Sequence, residues 1–483
     1  MKDFMKIYSS TRNKQIIKTP KEAILAGIAD DGGLYVYDGL TDLKLPLEAM
    51  MKMNYLEMAE TVLSLLLPDF SEAEVKSCVK DAYENQFANA DITPVHFAKD
   101  QAILELFHGP TCAFKDVGLR MLPQLMSKSI ASCGDGDVMI LTATSGDTGK
   151  AALEGFKDVE HIGITVFYPD NGVSSMQKRQ MVTTTGKNTK VTAIKGNFDD
   201  AQTGVKNIFA ACQEKELPYA LSSANSINIG RLAPQIMYYF RAYRDLLDTG
   251  KIKLGDEVNF SVPTGNFGDI LAGYLARLLG LPVGKLICAS NANNVLTDFI
   301  TTGAYDKRRP LLKTTSPSMD ILVSSNLERL LYLLSGDCDL VASLMKQLNT
   351  EGSYTVPADM LQKIQTEFEE YMERLKEDID RKAEKFGYVE YYDAKLRDGY
   401  SNEVAVATSE IHALDERRKS LATVNPLFAK TSMLPPEPSV EDITYEQISI
   451  NLPAVAQSAL DELNNSSPEA EEVAEEPAHE EPQ

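Results

Sequence analysis

EVNFSVPTGNFGDILAGYLARLLG, residues 257–280, carries an apolar strand, a turn with two glycines and an amphipathic helix in immediate succession. The same order recurs upstream. DVMILTAT (137–144) runs into SGDTGKAALEGF, HIGITVFYP (161–169) into DNGVSSMQKRQMV, and KVTAIKG (190–196) into NFDDAQTGVKNIFAAC. Apolar runs that alternate with helical periodicity predict an α/β fold of mostly parallel sheets flanked by helices, because parallel strands need a crossover and buried strands need cover on both faces.

Working outward, residues 1–95 predict a small N-terminal α+β domain. It has helices around KEAILAGI and from LEMAETVLSLLL to the Tyr83 region, with DDGGLYVYDG as a turn and strand between them. Residues 96–433 form the expected core domain. Within it, a charged helix is predicted from Ala358 to Lys385, with Leu361, Ile364, Phe368, Tyr371, Leu375 and Ile379 on its apolar face. Residues 434–483 are rich in Pro and Glu and predict a mostly disordered acidic tail, since little apolar surface is available there to offset chain entropy.

The net charge of -22 over 483 residues is concentrated in that tail, which holds 13 acids and no Lys or Arg. The remaining 57 acids face 48 bases, so the body carries only about -9 and has no general electrostatic reason to bind nucleic acid or an anionic membrane. An anionic ligand must then be held by local donors. The cysteines include no Cys-x-x-Cys pair and the histidines no His-x-x-x-His spacing, so neither a disulfide framework nor a metal site is expected. The N-terminus lacks the apolar block of a secretory signal, and no stretch reaches the roughly 20 apolar residues of a membrane span. A cytoplasmic protein is expected.

Three segments carry chemistry. In HGPTCAFKDVGLR (108–120), Lys115 follows a Gly-Pro turn among apolar neighbours. Most lysines are solvated, but one in such surroundings can lose its proton and attack an aldehyde. TATSGDTGKAA (142–152) is a strand-to-helix turn that offers hydroxyls and N–H groups to an anion such as a carboxylate, although a well-capped helix start explains it as well. It is not a nucleotide phosphate loop: Gly146 stands too close to Gly149, and Ala151 follows Lys150 where a Ser or Thr is required. PTGNFGD (263–269) does not fit the dinucleotide fingerprint, yet its two glycines permit close approach of a phosphate to a helix N-terminus.

In this order the three segments, with YSSTRN, ILAGIADDGGLYV, SANSINIGRLAPQ (223–235) and SPSMDILVSSNLERLLY (316–332), strongly resemble the threonine synthases in their longer form. These are pyridoxal-phosphate enzymes of the tryptophan-synthase-β fold type. The resemblance covers roughly residues 5–335. It implies a two-lobed core with a mobile lobe near 140–235, pyridoxal 5'-phosphate as cofactor, O-phosphohomoserine as substrate, and threonine and phosphate as products.

Carried over by position, it implies that Lys115 forms the Schiff base and shuttles protons. Gly265, Asn266, Phe267, Gly268 and Asp269 would hold the cofactor phosphate, with Asp147 near its phenolic oxygen and Thr423 facing its ring nitrogen. Thr144, Ser145 and Thr148 would receive the substrate carboxylate. Asn225, Ser226 and Arg231 would cradle the substrate phosphate. The C-terminal part departs from the family pattern: SNEVAVA (401–407, around Glu403) stands where Asp-Pro-His-Thr is usual, and Asn425 where His is usual. A phospholyase that releases 2-oxobutyrate from the same substrate, and a degenerate homologue acting as a binding protein, remain alternatives.

Overall fold

The computed structural model describes residues 7–370, apart from 99–100, 134–135, 145, 171, 197, 213–216, 313 and 315. Thr423, Asn425, the Glu403 region and the acidic tail lie outside the described residues, as does Ser145.

The chain begins with a three-stranded antiparallel sheet in the order β2-β1-β3, made of β1 (Tyr8–Ser10), β2 (Ile17–Lys18) and β3 (Tyr35–Tyr37). The helices Pro20–Ala26, Tyr55–Leu66 and Glu72–Tyr83 each start with a reciprocal capping box: Thr19 with Glu22, Asn54 with Glu57, and Ser71 with Glu74. Each box satisfies N–H groups that have no partner inside the helix, which is why these helices begin where they do. Their inner faces are apolar. Ile24, Met58, Val62 and Cys78 are fully buried and share one hydrophobic core with Val117, Leu122 and Leu125 of the helix Lys115–Cys133. A two-stranded antiparallel pair, β4 (Val95–Ala98) and β5 (Gln101–Leu104), follows.

The alternating segments fold into a four-stranded, all-parallel sheet in the order β8-β7-β6-β9. Its strands are β6 (Asp137–Ala143), β7 (Ile162–Pro169), β8 (Thr189–Ile194) and β9 (Tyr219–Ser222). Both faces are covered. Val138, Ile140, Ile164 and Val166 point into the main core with Leu153 and Phe156 of the helix Asp147–Phe156. Leu141, Ala143 and Phe167 turn the other way, onto Ala201 and Ile208 of the helix Phe198–Cys212. This two-residue alternation between two apolar faces is the physical reason β6 and β7 read as continuous apolar runs.

The helices Lys115–Cys133 and Asp147–Phe156 cross at Gly155, where an added Cβ would stand 2.0 Å from the Leu119 carbonyl oxygen. Because that neighbour is backbone and cannot swing aside, Gly155→Ala is expected to destabilise the protein by ~1–3 kcal/mol. The check is a lower thermal midpoint by calorimetry.

The second sheet is also parallel, ordered β10-β11-β14, with β10 (Val258–Pro263), β11 (Val283–Ala289) and β14 (Phe368–Glu370). The helix Gly268–Leu278 connects β10 to β11. An antiparallel pair, β12 (Ala304–Asp306) and β13 (Ser353–Thr355), lies apart from it. The helix predicted to run from Ala358 to Lys385 ends at Glu367 instead. Phe368 turns into β14 opposite Leu286, its ring packed between Phe267 and Tyr274 at centroid distances of 5.5 and 6.0 Å. Burying a phenyl ring contributes roughly 1.5–3 kcal/mol, enough to outweigh the preference of one more helical turn. The two parallel sheets, their covering helices and the small N-terminal α+β part form the α/β architecture expected from the sequence.

Candidate functional site

Lys115 is the first residue of its helix, and the preceding loop is folded by its neighbour. The buried Asp116 carboxylate accepts hydrogen bonds from the Thr111 N–H at 2.8 Å and the Thr111 hydroxyl at 2.6 Å, which also puts a negative charge at the helix N-terminus. Gly109 has to be glycine, since a Cβ there would lie 2.4 Å from Asp116 Oδ2. From the other side, the Tyr238 hydroxyl donates to the Phe114 carbonyl at 3.0 Å. The amine is thus fixed at its base. Its side chain is only 10% exposed. Burial lowers the Lys115 pKa from 10.5 to about 8; Asp147 counteracts this and the Arg231 guanidinium adds to it.

Asp147 opens the helix that follows β6, and its Oδ2 lies 4.0 Å from Lys115 Nζ. Gln177 donates to its Oδ1 at 2.8 Å, and the Ser318 hydroxyl donates to Oδ2. Burial opposes ionisation of Asp147, but Lys115, Ser318 and Gln177 together hold its pKa below the ordinary value. Thr144 organises the same turn from within, its Oγ1 accepting the N–H groups of Gly146 at 3.0 Å and Gly149 at 2.8 Å. That hydroxyl oxygen is a cap for the helix start. Thr148 is partly exposed on the first turn.

The Gly265–Asp269 segment turns sharply into the helix Gly268–Leu278 through Phe267, a buried non-glycine residue at φ 62°. Its carbonyls are drawn outward: Ser324 donates its hydroxyl to Gly265 O, and Asn326 N–H donates to Asn266 O at 3.0 Å. The first turn of any helix carries N–H groups without intrahelical partners, so this end is suited to a phosphate. The Asp269 side chain is a different matter. It faces Tyr239, whose hydroxyl donates to Asp269 O at 2.8 Å and Oδ1 at 3.2 Å, and burial raises its pKa to about 7 in spite of that bond. Its carboxyl group is thus turned to Tyr239.

Residues 225–231 lie alongside. The two loops approach at Gly268, where a Cβ would stand 3.4 Å from Asn326 Nδ2 and 3.9 Å from Ser226 Cβ. Asn228 caps the short helix Ile229–Leu232 through Gly230 N–H at 2.9 Å and ties it to the N-terminal part by donating to Ile24 O at 2.9 Å. Asn225 contributes its N–H to Ser223 Oγ at 3.2 Å. The Ser226 and Ile227 carbonyls accept from Asn326 Nδ2, at 3.1 Å, and from Arg329 Nη2. Arg329 also donates to Tyr35 O at 3.0 Å, so β3 supports this loop through one buried guanidinium.

Arg231 is itself 5% exposed and packs on the lysine helix, where a Cβ at Gly118 would lie 2.9 Å from Arg231 O. Its Nη1 donates to Ala224 O at 2.9 Å, and burial pushes its pKa down to about 10. Among the described residues no acid pairs with it. A buried cation without a counter-ion is costly, and a bound anion would relieve that cost.

The buried Lys115 and Arg231 therefore lie together with the partly exposed Asp147, with the 225–231 and 265–269 loops beside them. The chemistry available is a lysine amine accessible as a nucleophile near neutral pH, one helix terminus for a phosphate, and a separate guanidinium for a second anion. These residues suit a carbonyl compound that also carries a phosphate. Sequence reasoning missed Gln177, Ser318, Ser324, Asn326 and Arg329. The stretch SPSMDILVSSNLERLLY marked the region of four of them without assigning any a role.

Residues 7–83 match the family model described as threonine synthase N terminus. A threonine synthase of Pseudomonas aeruginosa is 42% identical over 353 residues, 72% of this chain and 73% of that protein. Threonine synthase-like 1 of Homo sapiens is also 42% identical, over 366 residues, which are 72% of this chain but 49% of the relative. The chain thus spans about half the length of the threonine synthase-like 1 proteins it matches. Among solved structures, the PLP-bound threonine synthase from Brucella melitensis superimposes with a TM-score of 0.69 at 38% identity, covering 75% of this chain and 77% of that one. With relatives this similar across both the sequence and the fold around Lys115, the chain belongs to the threonine synthase family.

Proposed function

We propose that this chain is a threonine synthase, converting O-phospho-L-homoserine and water into L-threonine and phosphate with pyridoxal 5'-phosphate joined to Lys115. The observation that carries this reading is one buried lysine of lowered pKa with two groups of donors near it: the helix end at Gly265–Asp269, and the buried Arg231, which has no acid partner among the described residues. A cofactor phosphate and a substrate phosphate need two such places.

When bound, the cofactor supplies an electron sink for the carbanions at the substrate's α carbon. The residues of the chain do the rest. Lys115 Nζ takes the α proton and returns it, a role that requires a pKa near the working pH. Arg231 holds the substrate phosphate as it leaves from the γ carbon, with Asn225 and Ser226 beside it. The Gly265–Gly268 backbone anchors the cofactor phosphate, and Asp147 holds a negative charge opposite Lys115 Nζ. In this reading the segment of Thr144, Ser145 and Thr148, where the helix Asp147–Phe156 starts, would receive the substrate carboxylate. Thr423, outside the described residues, would be the residue facing the ring nitrogen in this reading. The lobe carrying residues 140–235 closes to keep solvent from the reacting carbons. That none of the six cysteines forms a disulfide suits a reducing, cytoplasmic setting.

The test is product analysis with O-phosphohomoserine. Threonine and phosphate in equal amounts are expected. Phosphate accompanied by 2-oxobutyrate would make the chain a phospholyase, and no phosphate release at all would make it a binding protein.

A further inference from the structure

The stretch 316–320 has no part in the function described above, yet it reaches the centre of the site. Asp147 lies too far from Lys115 for a direct hydrogen bond, 4.0 Å from Oδ2 to Nζ, so Lys115 does not by itself determine where that carboxylate sits. Two other side chains do. Gln177 Nε2 donates to Oδ1 from the helix Ser175–Val182, and Ser318 Oγ donates to Oδ2, the oxygen nearer the lysine.

Both donors are themselves held. The Gln177 side chain belongs to a capping box: its Oε1 accepts from Ser174 N–H at 3.0 Å while its N–H donates to Ser174 Oγ at 3.2 Å, so its amide group is oriented before it meets Asp147. That amide lies over Gly146, where a Cβ would stand 2.3 Å from it. Ser318 sits in the helical turn Pro317–Met319, which lies against Gly265 with the Ser318 carbonyl oxygen 3.3 Å from where a Cβ of Gly265 would be. The turn is secured by Asp320. Its Oδ1 accepts from Asn291 Nδ2 at 2.8 Å, Asn293 Nδ2 at 3.0 Å and Thr314 Oγ1 at 2.7 Å, and its Oδ2 accepts from Thr314 N–H at 2.9 Å. Ser318 is therefore a fixed donor projecting from the β10-β11-β14 half of the molecule onto a carboxylate of the β6–β9 half.

We propose that Ser318 is a positioning residue, its hydroxyl holding the Asp147 carboxylate beside Lys115 from the opposite lobe while Gln177 holds the second oxygen. The proposal rests on reading Lys115 as the reactive amine. Two consequences follow from the geometry. A carboxylate held at this distance moderates the loss of the lysine proton without forming the close ion pair that would quench the amine. Two donated hydrogen bonds also disperse the Asp147 charge, so that a substrate carboxylate can be received on the neighbouring turn at Thr144 and Thr148.

The charged groups acting on Lys115 are Asp147 and Arg231. Only the first is held by Ser318. Without the Ser318 hydroxyl, Asp147 retains the bond to Gln177 and its attraction to Lys115, and the proposal expects Gln177 to draw it from Nζ, so that the lysine loses its proton at lower pH. The direction is fixed: an attractive negative charge raises the pKa of a lysine, and removing that charge lowers it.

The experiment uses the cofactor-free full chain, so its outcome does not depend on turnover. The protein is acetylated with acetic anhydride over a pH series, and the labelled fraction of the Lys115 peptide is measured by mass spectrometry. Wild type should give a midpoint near 8, Asp147→Asn a lower one, and Ser318→Ala a midpoint lower than wild type by about 0.5–1 pH unit. Ser318→Thr should return it to the wild-type value, with circular dichroism unchanged throughout. A Ser318→Ala midpoint equal to wild type while Asp147→Asn shifts it overturns the proposal. So does a Ser318→Thr protein that behaves like Ser318→Ala, which would assign the effect to loop packing. An ordinary lysine midpoint in wild type would instead defeat the reading of Lys115 itself, and it is recognisable because it requires no variant.

Discussion

Lys115→Ala is expected to lower turnover by on the order of 10³-fold or more while the protein remains folded, because in the proposed reading it removes both the attachment point and the proton shuttle. The fold should tolerate it. Lys115 occupies the first position of a helix whose entry is secured by Asp116, Thr111 and Tyr238, none of which depends on the amine. A second expectation follows from burial, and its sign can be worked out. The folded-state pKa of about 8 lies below the 10.5 of an exposed lysine, so between these values the unfolded chain binds more protons and stability rises with pH. Below pH 8 the full cost of a buried ammonium is present. Lys115→Met should therefore stabilise the cofactor-free protein at pH 7, by on the order of 3 kcal/mol at most. The gain should fade as pH rises from 8 towards 10.5. Urea unfolding of the two proteins at pH 7 and pH 10 measures both numbers.

Arg231→Ala is expected to reduce kcat/KM for the phosphorylated substrate by roughly 10- to 100-fold, the equivalent of a charge-assisted hydrogen bond of about 1.5–3 kcal/mol. The guanidinium is buried beside Lys115, donates to Ala224 O, and has no acid to pair with among the described residues. Lys at this position restores a charge but cannot present two parallel donors to a phosphate, so Arg231→Lys should recover only part of the loss. If the contact is equally strong before and during C–O cleavage, the loss appears in KM; if it strengthens as the phosphate leaves, kcat falls as well. Cofactor content is expected to stay at the wild-type level, because in the proposed reading the cofactor phosphate is held by the Gly265–Asp269 loop and not by Arg231. A variant that releases its cofactor would mean that the two phosphate subsites are interchanged.

The parts of the fold legible in the sequence are those determined by neighbours along the chain. HIGITVFYP and EVNFSVP correspond to β7 and β10 within a residue at either end, because period-two burial and a following glycine turn are local signals. The helix that ends at Glu367 was not legible to its true end. Apolar spacing continues past Phe368, but the pocket made by Phe267 and Tyr274 is visible only in three dimensions. The site divides in the same way. Lys115 and the Gly265–Asp269 turn stand out because their motifs are contiguous. The Ser318–Asp147 bond joins residues 171 apart and the Asn326–Ser226 bond residues 100 apart, and no local pattern encodes either. Asp269 is instructive: its place in the turn was readable, whereas the direction of its carboxyl group, towards Tyr239, was decided by packing.

The most direct measurement is to load the protein with pyridoxal phosphate, reduce it with borohydride, and identify the modified peptide by mass spectrometry. The expected result is one phosphopyridoxyl group, on Lys115, with loss of the yellow colour. A label on any other lysine, or none at all, would contradict the assignment of Lys115 and with it the arrangement of the two anion subsites around that amine.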